Sequence, residues 1–143
     1  MPHLPIRLLV VHCTASPTTT TREQVVEWHL ANGWSDIGYH YLIQAGGIVR
    51  KGRRDDTPGA HAKGHNTESL GVSVSGSPSE GMAWDPDQEY QLVLLLTDLC
   101  RAHSLRPHQI RGHSELDPEN KPLCPGVSMD AVRQQVAVRL AET

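Results

Sequence analysis

The chain has no long hydrophobic run, no surplus of positive charge, no internal repeat and no regular cysteine spacing, and each absence removes a class of protein. Nothing approaches the ~20 consecutive apolar residues that cross a bilayer, so stable membrane association is not expected. Leu8 to Val11 is too short for the apolar core of a secretory signal and follows Pro2 and Pro5, so the expectation is accumulation in the cytoplasm on synthesis. A net charge of -3 argues against nucleic acid as a partner. The one basic run, Arg50-Lys51-Gly52-Arg53-Arg54, is followed at once by Asp55 and Asp56 and reads as a solvated hairpin end. Three cysteines, an odd number, do not make a disulfide framework. Cys100, inside the most apolar helical segment, reads as a small buried hydrophobe.

What is present fits one domain over residues 1–143, with residues 1–5, including His3, as a flexible tail. Ile6 to Cys13 is short, apolar and Leu/Val-rich, the pattern of a buried strand. Thr20 and Thr21, with Glu23 and Gln24 three positions later, carry capping-box signatures for a helix that runs to about Asn32 and stops at Gly33. Val25, Trp28 and His29 would face inward. Tyr39–Gln44 and Ile48–Arg53 flank Ala45-Gly46-Gly47 as a hairpin. In such a strand Tyr39 and Tyr41 share a side while His40 points away. Leu70 to Ser75 alternates Leu, Val, Val with Gly, Ser, Ser, the period of a half-buried strand. Asp85-Pro86 opens the longest helix, with Leu92, Leu95, Leu96, Leu99 and Cys100 on its inner face. Ser128 caps a last helix that buries Met129, Val132, Val136 and Leu140. The architecture expected is α/β, a mixed central sheet with helices packed on its faces.

The chemistry concentrates in three segments: Val11-His12-Cys13-Thr14-Ala15-Ser16, Gly112-His113-Ser114-Glu115 and Leu123-Cys124-Pro125-Gly126. Successive strand residues point to opposite faces, so if His12 is a metal ligand, Cys13 enters the core. Alone, His12 would read as a hydrogen-bonded histidine at a strand end. Cys124 stands in a loop between Pro122 and Pro125, where a purely structural cysteine gains little. Two imidazoles and one thiolate leave a coordination position open, the mark of a catalytic zinc site. Gly71-Val72-Ser73-Val74-Ser75 nearly matches a serine-hydrolase nucleophile elbow, but its last position is serine and the strand pattern continues through it. His61 and His65 have i,i+4 ligand spacing, yet Gly59 and Gly64 make a loop there. His103 and His108 fall at the end of the long helix. Glu115 to Asn120 lacks the glycine and spacing of a calcium loop and reads as an acidic loop near the cleft, with Glu115 or Asp117 able to orient His113.

Taken in order, these segments resemble the zinc-dependent N-acetylmuramoyl-L-alanine amidases of the type 2 family, which includes phage lysozymes and peptidoglycan recognition proteins. The likeness extends through Gly33-Trp34-Ser35-Asp36-Ile37-Gly38-Tyr39-His40-Tyr41-Leu42-Ile43, Gly47-Ile48-Val49-Arg50-Lys51-Gly52-Arg53, His61-Ala62-Lys63-Gly64-His65-Asn66 and Ser69-Leu70-Gly71-Val72. It implies hydrolysis of the amide between N-acetylmuramic acid and L-alanine in peptidoglycan, with one catalytic zinc held by His12, His113 and Cys124. The metal would acidify its water and polarise the scissile carbonyl. Tyr39 matches an active-site tyrosine that orients that water or helps to deprotonate it, and His61 matches a histidine lining the substrate groove. Asn66 and Arg53 are expected as further polar walls for sugar or peptide.

One departure precedes the third ligand. Phage relatives place a catalytic lysine two positions before it, whereas Lys121 precedes Cys124 by three. Lys121 reaches a developing oxyanion only if the loop absorbs the extra residue. The resemblance further implies a role in phage or prophage lysis, with a membrane-permeabilising partner such as a holin giving access to the wall. The alternatives it carries are a peptidoglycan-binding module without activity and binding to phage RNA polymerase. Cys124 and Tyr39 argue against the first, and the short segment before the first strand leaves little room for the second.

Overall fold

Local capping chemistry sets the helix starts. In the computed structural model, which describes residues 5–142, the order is β1 (Leu8–Cys13), α1 (Arg22–Ala31), β2 (Tyr41–Gln44), β3 (Ile48–Lys51), β4 (Ser69–Val74), α2 (Pro86–His103), β5 (Ile110–Gly112), α3 (His113–Leu116) and α4 (Met129–Leu140). The expected tail falls, but for an exposed Pro5, outside the described residues, as does His3. Of the two candidate caps for α1, Thr21 is the one used: its side chain accepts from Gln24 N while Gln24 accepts from Thr21 N. Asp85 and Gln88 make the same reciprocal pair at α2, with Pro86 at the first position, and Ser128 accepts from Ala131 N at α4. Each cap satisfies backbone donors that the first helical turn leaves free. Gln88 does more, because its buried Nε2 donates to Ser75 O at 2.9 Å and Ile43 O at 3.3 Å, tying the start of α2 to the ends of β4 and β2.

The sheet order is β3-β2-β4-β1-β5. Only β2 and β3, joined by the Ala45–Gly47 turn, are antiparallel; β2–β4, β4–β1 and β1–β5 are parallel. Alternation then sorts side chains by face. Leu9, Val11 and Cys13 of β1, Ile43 of β2, Leu70, Val72 and Val74 of β4 and Ile110 of β5 join Leu92, Leu96, Leu99 and Cys100 of α2 and Met129, Val132 and Val136 of α4. Each fully buried aliphatic chain contributes about 1.5–3 kcal/mol relative to exposure. The opposite face carries a smaller apolar cluster, Leu42 with Val25 of α1 and Ile37. Helices on both faces of a mixed sheet match the expected architecture.

Three expectations fail, two of them because position in the sheet overrides local pattern. All six residues of β4 are buried, since β4 lies inside the sheet and the loop carrying His61 and His65 covers its Ser69 and Gly71 side. Trp28 is 44% exposed; Val25 and Val26 make the inward contacts of α1 instead. Tyr39 and Tyr41 lie on opposite sides, because regular pairing begins only at Tyr41: Tyr41 packs toward the α2 core and Tyr39 against the Leu42 cluster.

Candidate active site

Parallel pairing brings the first two candidate ligands together. Val11 of β1 is in register with Gly112 of β5, so the residues that follow, His12 and His113, are neighbours, with ring centroids 4.4 Å apart. Both lie near the carboxyl ends of adjacent parallel strands, the usual place for a site in such sheets. The loop after α3 returns Cys124 to the same point. Ser114 N donates to Cys124 O at 2.6 Å, and Cys13 N, at the end of β1, donates to Cys124 Sγ at 3.2 Å. Cys13 itself enters the core, 6% exposed, as strand alternation requires. The ligand atoms of His12, His113 and Cys124 all lie within 4.8 Å of one another. Two imidazoles and a thiolate form a donor set suited to zinc, with one position left for chemistry.

The electrostatics favour the ligating forms of the two histidines. Burial holds the His113 imidazole down at about 4, with the Lys121 charge adding to the effect. Burial also keeps His12 well below its ordinary value, helped by His61, His113 and Lys121. Neutral imidazoles are what a metal requires. The Cys124 thiol is pushed up by its contact with Cys13 and by burial; a bound cation reverses that, since a coordinating thiol is deprotonated outright.

A cavity of about 600 Å³ opens over these residues, and Tyr39, His61, Asn66 and Lys121 line it together with the three candidate ligands. The Tyr39 ring is 5.2 Å from that of His12, centroid to centroid. Burial raises its phenol above the usual range, Cys124 adds to this and the Ser73 hydroxyl opposes it, so the phenol is protonated. Lys121 is exposed at the rim, in a turn where its N–H donates to Asp117 O at 2.9 Å and its carbonyl accepts from Cys124 N at 3.4 Å. Its charge is felt at His12, His113 and Cys124 despite the added residue.

Arg53 is a correction. Its guanidinium donates to Ile37 O at 2.7 Å and Pro58 O at 2.8 Å, and it is not among the described residues lining the cavity. It braces the segment before Tyr39 from outside the cavity wall in which it was expected. Asn66 lines the cavity while its Oδ1 accepts from His61 N at 2.8 Å and Ala62 N at 2.9 Å. Glu115 does not orient His113: it holds Arg133 of α4 through both carboxylate oxygens and accepts from Gly112 N. Arg133 is the main reason its carboxyl is held down at about 2. Residues not foreseen are His29, whose Nδ1 accepts from Gly38 N at 2.7 Å, and Trp34, stacked edge-on against it at 4.6 Å; both line the cavity. Ser73, level with His12 in the sheet, has a buried hydroxyl with no hydrogen-bond partner among the described residues. The register of β4 against β1 would have revealed Ser73, but register is not visible in the separate strands.

Residues 2–127 match the family described as N-acetylmuramoyl-L-alanine amidase. The chain belongs to this family. The endolysin of Escherichia phage T7 is 35% identical over 121 residues, covering 80% of this chain and 78% of that protein. Among solved structures, the Ph2119 endolysin of Thermus scotoductus bacteriophage Ph2119 superposes with a TM-score of 0.79 at 28% identity, covering 93% of this chain and 86% of that one. The endolysin amidase LysCS of Clostridium intestinale URNW shares the fold with a TM-score of 0.82 over 95% of this chain and 90% of its own, at 24% identity. No helix among the described residues of this amidase is long and apolar enough to cross a membrane.

Proposed function

We propose that this amidase acts as a phage or prophage endolysin, cutting the amide between N-acetylmuramic acid and the L-alanine of the peptidoglycan stem, with one zinc held by His12, His113 and Cys124. The observation that carries the reading is the convergence of those three side chains on the wall of one cavity beside Tyr39. When bound there, zinc supplies Lewis acidity toward the amide carbonyl and acidifies water.

The chain's own residues supply the rest. Tyr39, a protonated phenol facing the ligands, both donates and accepts hydrogen bonds and so orients the attacking water. Lys121, on the rim, offers a cation to the oxygen that gains charge as the amide opens. Asn66, His29 and Trp34 line the cavity, giving a polar and an aromatic wall for sugar and peptide. Synthesis in the cytoplasm, with a holin-like permeabilising partner opening the way to the wall, completes the role.

Mass spectrometry of purified peptidoglycan, digested by zinc-loaded protein with a chelator-treated sample alongside, tests it. Metal-dependent release of stem peptides with a free N-terminal alanine, leaving intact glycan strands, is expected. Retention on peptidoglycan without any release would identify a binding module and remove the catalytic reading.

A further inference from the structure

The scheme above gives no task to His61. His61 is 8% exposed and stands edge-on to His12, ring centroids 5.0 Å apart. His12 Nε2 lies 2.8 Å from His61 Nδ1, His61 Nε2 lies 3.1 Å from Ser69 Oγ, and Ser69 Oγ donates to the His65 carbonyl.

The protons in this chain can be assigned from its far end. A carbonyl only accepts, so the Ser69 hydroxyl proton belongs to the bond with His65 O. Ser69 Oγ then accepts from His61 Nε2–H. Neutral His61 is left bare at Nδ1, where it accepts from His12 Nε2–H. With its Nε2 proton engaged, His12 keeps its free lone pair at Nδ1. Both ring nitrogens of His61 are thereby occupied within the protein, so the ring lines the cavity with neither nitrogen free to hydrogen-bond substrate.

The backbone around the ring is shaped for it. A Cβ at Gly71 would fall 2.5 Å from His61 Cγ, and one at Gly59 only 2.4 Å from His61 Cδ2. Gly71 belongs to β4, in register with Val10 of β1, so the missing side chain opens space directly behind the metal-ligand strand. Asn66 holds the backbone N–H of His61 from the other side.

We propose that His61 is a positioning residue for the metal site, fixing the tautomer and ring plane of His12 so that Nδ1 is its ligand atom, with Ser69 and the His65 carbonyl anchoring the relay. This rests on the zinc reading above. Outer partners of ligating histidines orient the ring and raise its basicity, and losing one costs about 10–100-fold in metal affinity.

The test is zinc affinity by competition with a chromophoric chelator, with the absorption spectrum of the cobalt(II)-substituted protein beside it. It compares wild type, His61→Phe, His61→Gln and Ser69→Ala. His61→Phe fills the ring's space without an acceptor and should weaken zinc about 10–100-fold and change the cobalt ligand-field bands. His61→Gln, whose amide oxygen can accept from His12, should restore most of both. Ser69→Ala leaves the ring in place and should give a smaller loss in the same direction, which keeps the test decisive if the Phe variant does not fold. Wild-type affinity and spectrum in both His61→Phe and Ser69→Ala would overturn the relay while leaving the zinc reading intact, as would a Gln variant no better than Phe. A wild-type protein that takes up no zinc would overturn the metal reading and this inference with it.

Discussion

The two faces of the central sheet are built from the same strands and behave as different materials. On one face, Leu9, Val11, Cys13, Ile43, Leu70, Val72 and Val74 meet α2 and α4 in a dry core. On the other, in the same registers, stand His12, Ser69, Gly71 and Ser73, with Leu42 the apolar anchor toward α1. The contrast is one of side-chain size as much as polarity. Small residues on β4 make room for the His61 ring and for the cavity, while their alternating neighbours fill the core. One face therefore holds the fold and the other carries the candidate site, and substitutions should separate accordingly.

The sharpest separation is expected at Cys124. Cys124→Ser keeps a similar volume but replaces a thiolate with a poor zinc ligand. Zinc content measured by elemental analysis should fall to background. Amidase activity should fall by more than the ~100-fold that loss of an outer partner costs, with the circular dichroism spectrum unchanged. Full activity with zinc retained would refute the ligand assignment.

Tyr39→Phe comes next. It removes only the phenolic oxygen on the site face, so zinc should be retained while turnover drops by about 10²–10⁴-fold, the range for a positioned proton-handling group. Unchanged turnover on purified peptidoglycan would take Tyr39 out of the mechanism.

On the dry face the expectation reverses. Leu96 is 0% exposed in the α2 core. Leu96→Ala should cost about 2–5 kcal/mol of unfolding free energy, read by urea denaturation, with zinc stoichiometry and turnover of the folded protein unchanged. A loss of zinc at constant stability would mean that the two faces are coupled.

This division explains what could be read from the chain before folding. Caps and apolar periodicity are local, so Thr21, Asp85, Ser128 and the inner faces of α2 and α4 were legible. The candidate ligand trio, which the structure brings within reach of one point, could be picked out because three short motifs occur in a known order, even though parallel pairing, not sequence distance, brings His113 beside His12. What stayed hidden depends on contacts across the sheet. The burial of β4 follows from its central position and from the loop lying over it. The bracing role of Arg53 depends on where the carbonyls of Ile37 and Pro58 fall, and the place of His61 behind His12 requires both the register of β1 with β4 and a glycine at position 71.

Ser73→Ala probes the comparison most finely, because Ser73 lies on the site face yet is as buried as the core, at 0% exposure. Its hydroxyl has no hydrogen-bond partner among the described residues. A buried hydroxyl left unpaired costs about 1–3 kcal/mol, so removing it should leave thermal stability unchanged or raise it by about 1 kcal/mol, opposite in sign to Leu96→Ala. The same hydroxyl lies close enough to the Tyr39 phenol to favour its ionised form against the effect of burial, without meeting hydrogen-bond geometry to it, so the rate should fall modestly while zinc is retained. Differential scanning calorimetry and turnover on the same preparations separate the two effects. A stability loss above about 1 kcal/mol would mean that the hydroxyl is satisfied in solution and that the site face, at this position, helps to hold the fold as well.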